Sequence, residues 1–149
     1  LARFGNQAIV VTGSGVQATG QVLAPDTIVF TSAAAGAARN GTTLTFDIVA
    51  AAANPTNTVL AIFSGTAAAI LCTIIPNDGT NNAATPVNIT ETQLVELFNT
   101  GLISGKAIAL SDPLGLRILQ RALIIGTGAT VLVAGGPIDG AVCTFTGGV

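Results

Sequence analysis

The sequence of 149 residues contains no histidine, methionine, tryptophan or tyrosine. Without His, a Ser-His-Asp triad cannot be built, and the commonest zinc ligand is missing. With five basic residues against seven acidic ones and no Tyr or Trp, the chain also lacks the basic surface and the stacking groups typical of nucleic-acid binding. We therefore expect no enzyme activity, no cofactor, no metal and no nucleic-acid partner.

Charge of either sign is scarce as well. Charged side chains make up 8% of the residues, against about 25% in an average soluble domain. Half of the residues are hydrophobic, and the mean hydropathy is +0.72. A free monomer depends on surface charge to stay dispersed. We therefore expect much of the surface to be covered by further copies of the same chain, in a structural homo-oligomer.

The longest apolar stretches do not predict a membrane span. A spanning helix needs about 20 mainly apolar residues. The stretch Val59–Ile75 carries Ser-Gly-Thr at its centre, and Ile118–Val133 is interrupted by Gly126 and Gly128.

What is present favours short strands and tight turns. In Thr42–Val49 the residues Leu44, Phe46 and Ile48 alternate with polar ones, which indicates a half-buried strand. We predict an α+β fold, mainly β, with a single β-sandwich-like domain. Further predicted strands are Ala8–Thr12, Val16–Leu23, Thr27–Ser32, Lys106–Leu110, Thr130–Val133 and Ala141–Thr146, together with a hairpin of Thr58–Phe63 and Ala68–Ile75.

Two segments carry helix signals. Thr90 and Gln93 have the spacing of a capping box, and Asn99-Thr100-Gly101 is a stop signal, which together predict one clear flanking helix over about 91–99. Asp112-Pro113 offers an N-cap followed by an N1 proline, and predicts a second short helix over about 113–122.

Two motifs could carry chemistry, and we interpret both as turns. The segment Gly13–Ala18 fits the dinucleotide pattern G-x-G-x-x-G/A, but the residues after it predict a strand, so a glycine-rich hairpin turn is the favoured interpretation. The segment Asn77–Asn81 could offer oxygen ligands to calcium, but it contains a single carboxylate.

The cysteines, Cys72 and Cys143, could form one disulfide within or between subunits. Each lies in a strand-like run beside apolar residues. Two buried thiols that act as small hydrophobic side chains are the favoured interpretation, and the spacing alone does not exclude the disulfide.

The few charged side chains are candidates for subunit contacts. Arg117 and Arg121 would lie one turn apart on the second predicted helix, either as a solvated face or in contact with Glu91 or Glu96 of a neighbouring subunit. On a surface with little charge, such pairs would fix the register between subunits.

Four segments together resemble a module of tailed-bacteriophage virion proteins, found in tail tube, tail sheath and head-decoration subunits. They are Ile28–Phe46, Ile70–Asn82, Thr90–Gly101 and Gly135–Gly140. The resemblance implies a β-sandwich with a flanking helix, located in the virion. It implies assembly into rings or a shell with copies of itself and with other virion proteins, and no catalytic residues.

On this interpretation, residues 1–26 form an N-terminal arm and residues 27–149 the β-rich assembly domain. The arm would add a strand to a neighbour's sheet, which makes Ile9, Val10 and Val11 contact candidates. The same features would suit an extracellular, pilus-like filament or a surface-layer subunit at the cell surface, and we keep this as the alternative.

Overall fold

The computed structural model describes residues 15–23, 25–50, 58–76 and 89–149, and in these ranges the protein is mainly β with one α-helix. The helix α1 spans Glu91–Thr100, and short 3-10 helices span Ala37–Arg39 and Arg117–Leu119. The strands are β1 (Gln17–Val22), β2 (Thr27–Ala35), β3 (Thr43–Ile48), β4 (Val59–Thr66), β5 (Ala69–Ile75), β6 (Ile89–Thr90), β7 (Ile108–Ser111), β8 (Gln120–Ile125), β9 (Val131–Leu132) and β10 (Val142–Thr144).

Two sheets pack against each other, as the sandwich-like prediction requires. The larger sheet has the order β10-β3-β5-β4-β7, with parallel pairs β3–β5 and β4–β7. The smaller sheet, β1-β2-β8, is antiparallel throughout. The C-terminal segment connects them: β10 pairs with β3, after which Thr146 forms main-chain hydrogen bonds with Thr19 of β1, and Val149 with Val16 just before β1.

The seam between the sheets depends on a glycine. A Cβ atom at Gly20 in β1 would lie 2.5 Å from Cys143 Sγ and 2.6 Å from the Thr144 carbonyl oxygen. No side chain fits there without a shift of β10. The absence of a side chain at Gly20 therefore lets the two sheets approach closely.

Phenylalanine rings fill the core between the sheets and α1. The ring centroid of Phe98 lies 5.0 Å from that of Phe30 and 5.3 Å from that of Phe63, and Phe30 lies 5.6 Å from Phe46. All four rings are buried. Tilted and edge-on contacts at these distances stabilise aromatic pairs beyond their area burial.

The helix α1 begins and ends where the sequence predicts. The Thr90 hydroxyl accepts a hydrogen bond from the Gln93 amide, and the Gln93 side chain accepts one from the Thr90 amide, so the capping box is confirmed. The helix ends at Gly101, in the left-handed conformation. Near this end, the Asn99 side chain exchanges hydrogen bonds of 2.8 and 2.9 Å with the Ala122 carbonyl and amide of β8.

The predicted second helix over 113–122 is wrong. Asp112 is not a helix N-cap: its carboxylate accepts hydrogen bonds from the Leu116 and Arg117 amides, and the short 3-10 helix that follows has Leu116 as its N-cap. Gly115 has a φ of 66°, which a right-handed helix does not allow. Only the 3-10 helix Arg117–Leu119 follows, and Gln120–Ile125 is then a strand that pairs with β2.

Several boundaries also differ from the prediction. The strand β2 continues to Ala35, and the β4–β5 hairpin turns at residues 67–68 because β4 extends to Thr66. The strand β1 is an integral part of the smaller sheet and buries Ala18 and Val22, so the expected boundary at residue 26 falls inside that sheet. Because β1 begins at Gln17, no helix begins in the described part of the glycine pattern, residues 15–18.

Some predictions fall outside the described residues. These are the strand Ala8–Thr12 with Ile9, Val10 and Val11, most of the N-terminal arm, and the calcium-like turn Asn77–Asn81. In the part of the chain that the structure does describe, no helix is long and apolar enough to cross a membrane.

Candidate assembly surface

The smaller sheet has a buried face and an exposed face, because its side chains alternate. On β8, Ala122 is buried, while Leu123 and Ile125 point outward and are 65% and 60% exposed. On β2, the outward residue Val29 lies directly opposite Leu123 in the register. Leu23, just after β1, is 64% exposed. We call Leu23, Val29, Leu123 and Ile125 the outer patch.

Two polar side chains beside the outer patch carry no charge. Thr27 lies opposite Ile125, and Gln21 lies opposite Val29. Arg121 stands at the far end of the face, opposite Thr31. Covering aliphatic and uncharged polar groups costs less hydration energy than covering charged ones. Exposed apolar clusters of this kind mark interaction sites in soluble proteins.

Two grooves run along β1 beside the outer patch. One, of about 280 Å³, is lined by Gln21, Val22, Leu23, Pro137, Ala141 and Val142. The other, of about 340 Å³, is lined by Thr19, Gly20, Gln21, Val29, Thr144 and Thr146. Their linings carry hydroxyl, amide and aliphatic groups, so these grooves extend the chemistry of the outer patch across the seam between the sheets.

The strand β7 forms one edge of the larger sheet. Ala109, Leu110 and Ser111 are all exposed. Among the described residues, β7 pairs only with β4. The Val59 amide donates to the Ala107 carbonyl, and main-chain groups alternate along a strand, so the amide and carbonyl of Leu110 point away from β4. This edge could accept a further strand.

The two predicted arginine contacts lie on different elements. Arg117, in the 3-10 helix, donates from Nη1 to the Phe98 carbonyl at 2.9 Å and to the Leu97 carbonyl at 3.5 Å, near the C-terminal end of α1. A cation there compensates the negative end of the helix dipole. Arg121, on β8, is exposed and donates to the carbonyls of Ile118 and Gln120. Arg121 is therefore the one of the pair that faces solvent.

The two predicted glutamate contacts also differ. The Glu96 carboxylate accepts hydrogen bonds of 2.8 and 2.6 Å from the amide and hydroxyl of Ser104, and these bonds lower its pKa. It anchors the loop after α1. Glu91 is buried, and the carboxyl group beside it is that of Asp26 in the same chain. Glu91 is thus not on the surface that a neighbouring subunit could contact.

Cys72 and Cys143 are free thiols and both are buried. Burial raises the pKa of Cys143 to about 12, and it raises that of Cys72 further. Both side chains belong to the hydrophobic core. The favoured interpretation of two buried thiols therefore agrees with the structure.

Comparison with family models, curated proteins and solved structures found no match to this chain. The resemblance to virion modules of tailed bacteriophages therefore rests on the sequence pattern alone.

Sequence reasoning missed the outer patch because it assigned part of β8 to a helix. The signal that could have found it is Leu123-Ile124-Ile125 before Gly126, a β-rich run that ends in a turn residue. Sequence reasoning also missed the contact between Asp26 and Glu91. Each residue has an adequate local role, in a turn and at a helix start, so nothing local indicates that they meet.

Proposed function

We propose that this protein is a self-assembling structural subunit and that the outer patch is one of its contact surfaces. The observation that carries the proposal is the outward exposure of Leu23, Leu123 and Ile125 on one sheet face. With 8% charged residues, the chain has few surface charges whose repulsion would prevent this face from associating with further copies of the protein. Apolar area removed from water drives such association.

Among structural subunits, a virus-particle component of the tail tube, tail sheath or head-decoration type is the function that the sequence resemblance supports. The mainly β, sandwich-like fold with one flanking helix is compatible with it. The alternative is a subunit of an extracellular filament or surface layer, and the exposed edge of β7 would suit strand addition in either assembly.

The test of the contact surface is a charge placed in the outer patch. Leu123→Glu should keep the fold, because the side chain already points into solvent, but should abolish self-association by burying an unpaired carboxylate at the interface. Sedimentation velocity and negative-stain imaging measure the outcome. The matched control is Leu114→Glu, at a side chain that is 67% exposed outside the outer patch.

Wild type and Leu114→Glu should form tubes, rings or fibres, while Leu123→Glu should remain monomeric. A wild type that stays monomeric at all concentrations would contradict the proposal. If the two variants assemble equally well, the outer patch is not a contact surface. The shape of the particles separates the alternatives: hollow tubes or stacked rings favour a tail, and thin flexible fibres favour a filament.

Strand addition at β7 has its own test. Leu110→Pro removes the main-chain amide that points away from β4, and should stop a neighbouring strand from pairing there. Leu110→Thr retains that amide and controls for the lost side chain. If Leu110→Pro assembles as well as Leu110→Thr, β7 does not accept a strand.

A further inference from the structure

Three segments of the chain meet at the N-terminal end of α1. The Gly128 amide donates to the Asp26 carboxylate, in the β1–β2 turn, at 3.0 Å. The Gly128 carbonyl accepts from the Thr92 amide, and the Thr130 carbonyl accepts from the Glu91 amide, both at 3.1 Å. The loop 126–130 is thus held between the turn at Asp26 on one side and the first turn of α1 on the other.

The Glu91 carboxyl group is enclosed at this junction without ordinary partners. Glu91 is 0% exposed, and neither of its carboxyl oxygens receives a hydrogen bond of ordinary geometry in the described part of the chain. Burial of a carboxylate without donors is costly, and a second carboxylate beside it adds repulsion. A proton on Glu91 removes both penalties.

The electrostatics of the junction agree with this geometry. Burial raises the pKa of Glu91, and the neighbouring carboxyl group of Asp26 adds to the rise. The Asp26 amide and the Thr130 hydroxyl oppose the shift without forming hydrogen bonds of ordinary geometry. The net direction is therefore toward the protonated form.

No basic side chain among the described residues compensates Glu91. The titratable group that faces it is Asp26, and the loop 126–130 contributes only threonine hydroxyls and main-chain groups. The arginines nearest to α1 in the chain lie elsewhere: Arg117 binds carbonyls at the C-terminal end of the helix, and Arg121 binds carbonyls of Ile118 and Gln120.

We infer that Glu91 is held in its protonated form beside the Asp26 carboxylate, and that the two residues form a pH-sensitive latch, which holds the loop 126–130 against the first turn of α1. When Glu91 loses its proton, its buried carboxylate lies beside a second one, and the Asp26 turn and the loop respond by separating from the helix.

The latch adjoins the outer patch, and a consequence that rests on the proposed function follows from this position. Leu23 precedes the turn that carries Asp26, and Ile125 precedes Gly126, where a Cβ atom would collide with the Asp26 carboxylate. Opening the latch would shift both patch residues. Self-association should therefore weaken in the pH range where the latch opens.

The direct test is the pH dependence of thermal unfolding in wild type and Glu91→Gln, which mimics the protonated side chain. Because the folded state raises the pKa of Glu91, the contribution of Glu91 to wild-type stability is fully present below the ordinary value of 4.5 and is lost as pH rises through the folded-state value. Relative to Glu91→Gln, the wild-type melting temperature should drop by a few degrees across this window and then stay constant.

Glu96→Gln is the matched control, because Glu96 lies on the same helix and its pKa shifts in the opposite direction. The pKa of Glu96 is lowered in the folded state, so its contribution is present above about 4.5 and is lost as pH falls below it. Hydrogen exchange gives a local readout: above the folded-state pKa, the Gly128 and Thr92 amides should lose protection in wild type and retain it in Glu91→Gln.

Parallel pH profiles of wild type and Glu91→Gln would overturn the latch. The latch would also be overturned if calcium chloride, added at about pH 8, raised the melting temperature of wild type but not that of Glu91→Gln. Asp26 and Glu91 would then form a cation site. Neither measurement needs assembly. A monomeric protein with the expected profiles would therefore contradict the proposed function alone.

Discussion

The two faces of the smaller sheet use the same three strands for opposite purposes. On the inner face, Ile28 and Phe30 of β2 are fully buried and pack toward the larger sheet and α1. On the outer face, Val29 of the same strand adjoins Leu123 and Ile125, which are mostly exposed. The chain thus carries more apolar side chains than its own core uses. The excess on one face is what an assembling subunit would need, and substitutions on the two faces should have different effects.

Phe30→Ala on the inner face should have the largest effect on folding. The ring contacts Phe98 and Phe46, so its removal leaves a cavity in the centre of the core. We expect the free energy of unfolding, measured with urea, to fall by about 3–5 kcal/mol. Thr31→Ala, one residue along on the outer face, is the control. A loss of less than about 1 kcal/mol for Phe30→Ala would contradict the packing described for this face.

Gly20→Ala should have the next largest effect, at the seam where the inner face meets β10. The added methyl group would meet Cys143 and the Thr144 carbonyl, and main-chain atoms cannot move aside cheaply. We expect a loss of about 1–3 kcal/mol in the same experiment. The control is Gln21→Ala, at the next residue, which points to solvent. Equal stability of the two variants would mean that the sheets are further apart than described.

Leu123→Thr on the outer face should have the smallest effect on folding. Threonine favours a strand and the position is exposed, so the free energy of unfolding should change by no more than about 0.5 kcal/mol. Self-association, measured by sedimentation, should nevertheless weaken because apolar contact area is lost. A loss of stability comparable to that of Phe30→Ala would erase the distinction between the two faces.

The sequence was informative where a local pattern decides the structure. The capping box of Thr90 and Gln93 and the alternation of Leu44, Phe46 and Ile48 each correspond to the element observed. Asp112-Pro113 matches a helix start, but Leu116 is the N-cap of the short 3-10 helix that forms, and pairing with β2 makes the residues after Leu119 a strand. The reason is that a tertiary contact overrides a local helix signal.

Contacts between distant segments could not be predicted from the sequence, because they too depend on tertiary structure. The outer patch needs the register of β2 against β8, and the Asp26–Glu91 pair needs a turn and a helix to meet. The composition did predict that the surface carries little charge. It did not indicate which face is apolar, because that depends on how the strands alternate once they are paired.

The central claim, that the outer patch is covered on assembly, is tested most directly by thiol labelling at residue 123. Cys72 and Cys143 are buried, so Leu123→Cys adds the exposed thiol to be labelled, and Leu114→Cys is the control. The maleimide labelling rate is compared between dilute monomer and assembled particles. We predict that assembly strongly slows labelling at residue 123 and leaves residue 114 unchanged. Labelling at residue 123 that proceeds equally fast in particles and monomer would contradict the claim.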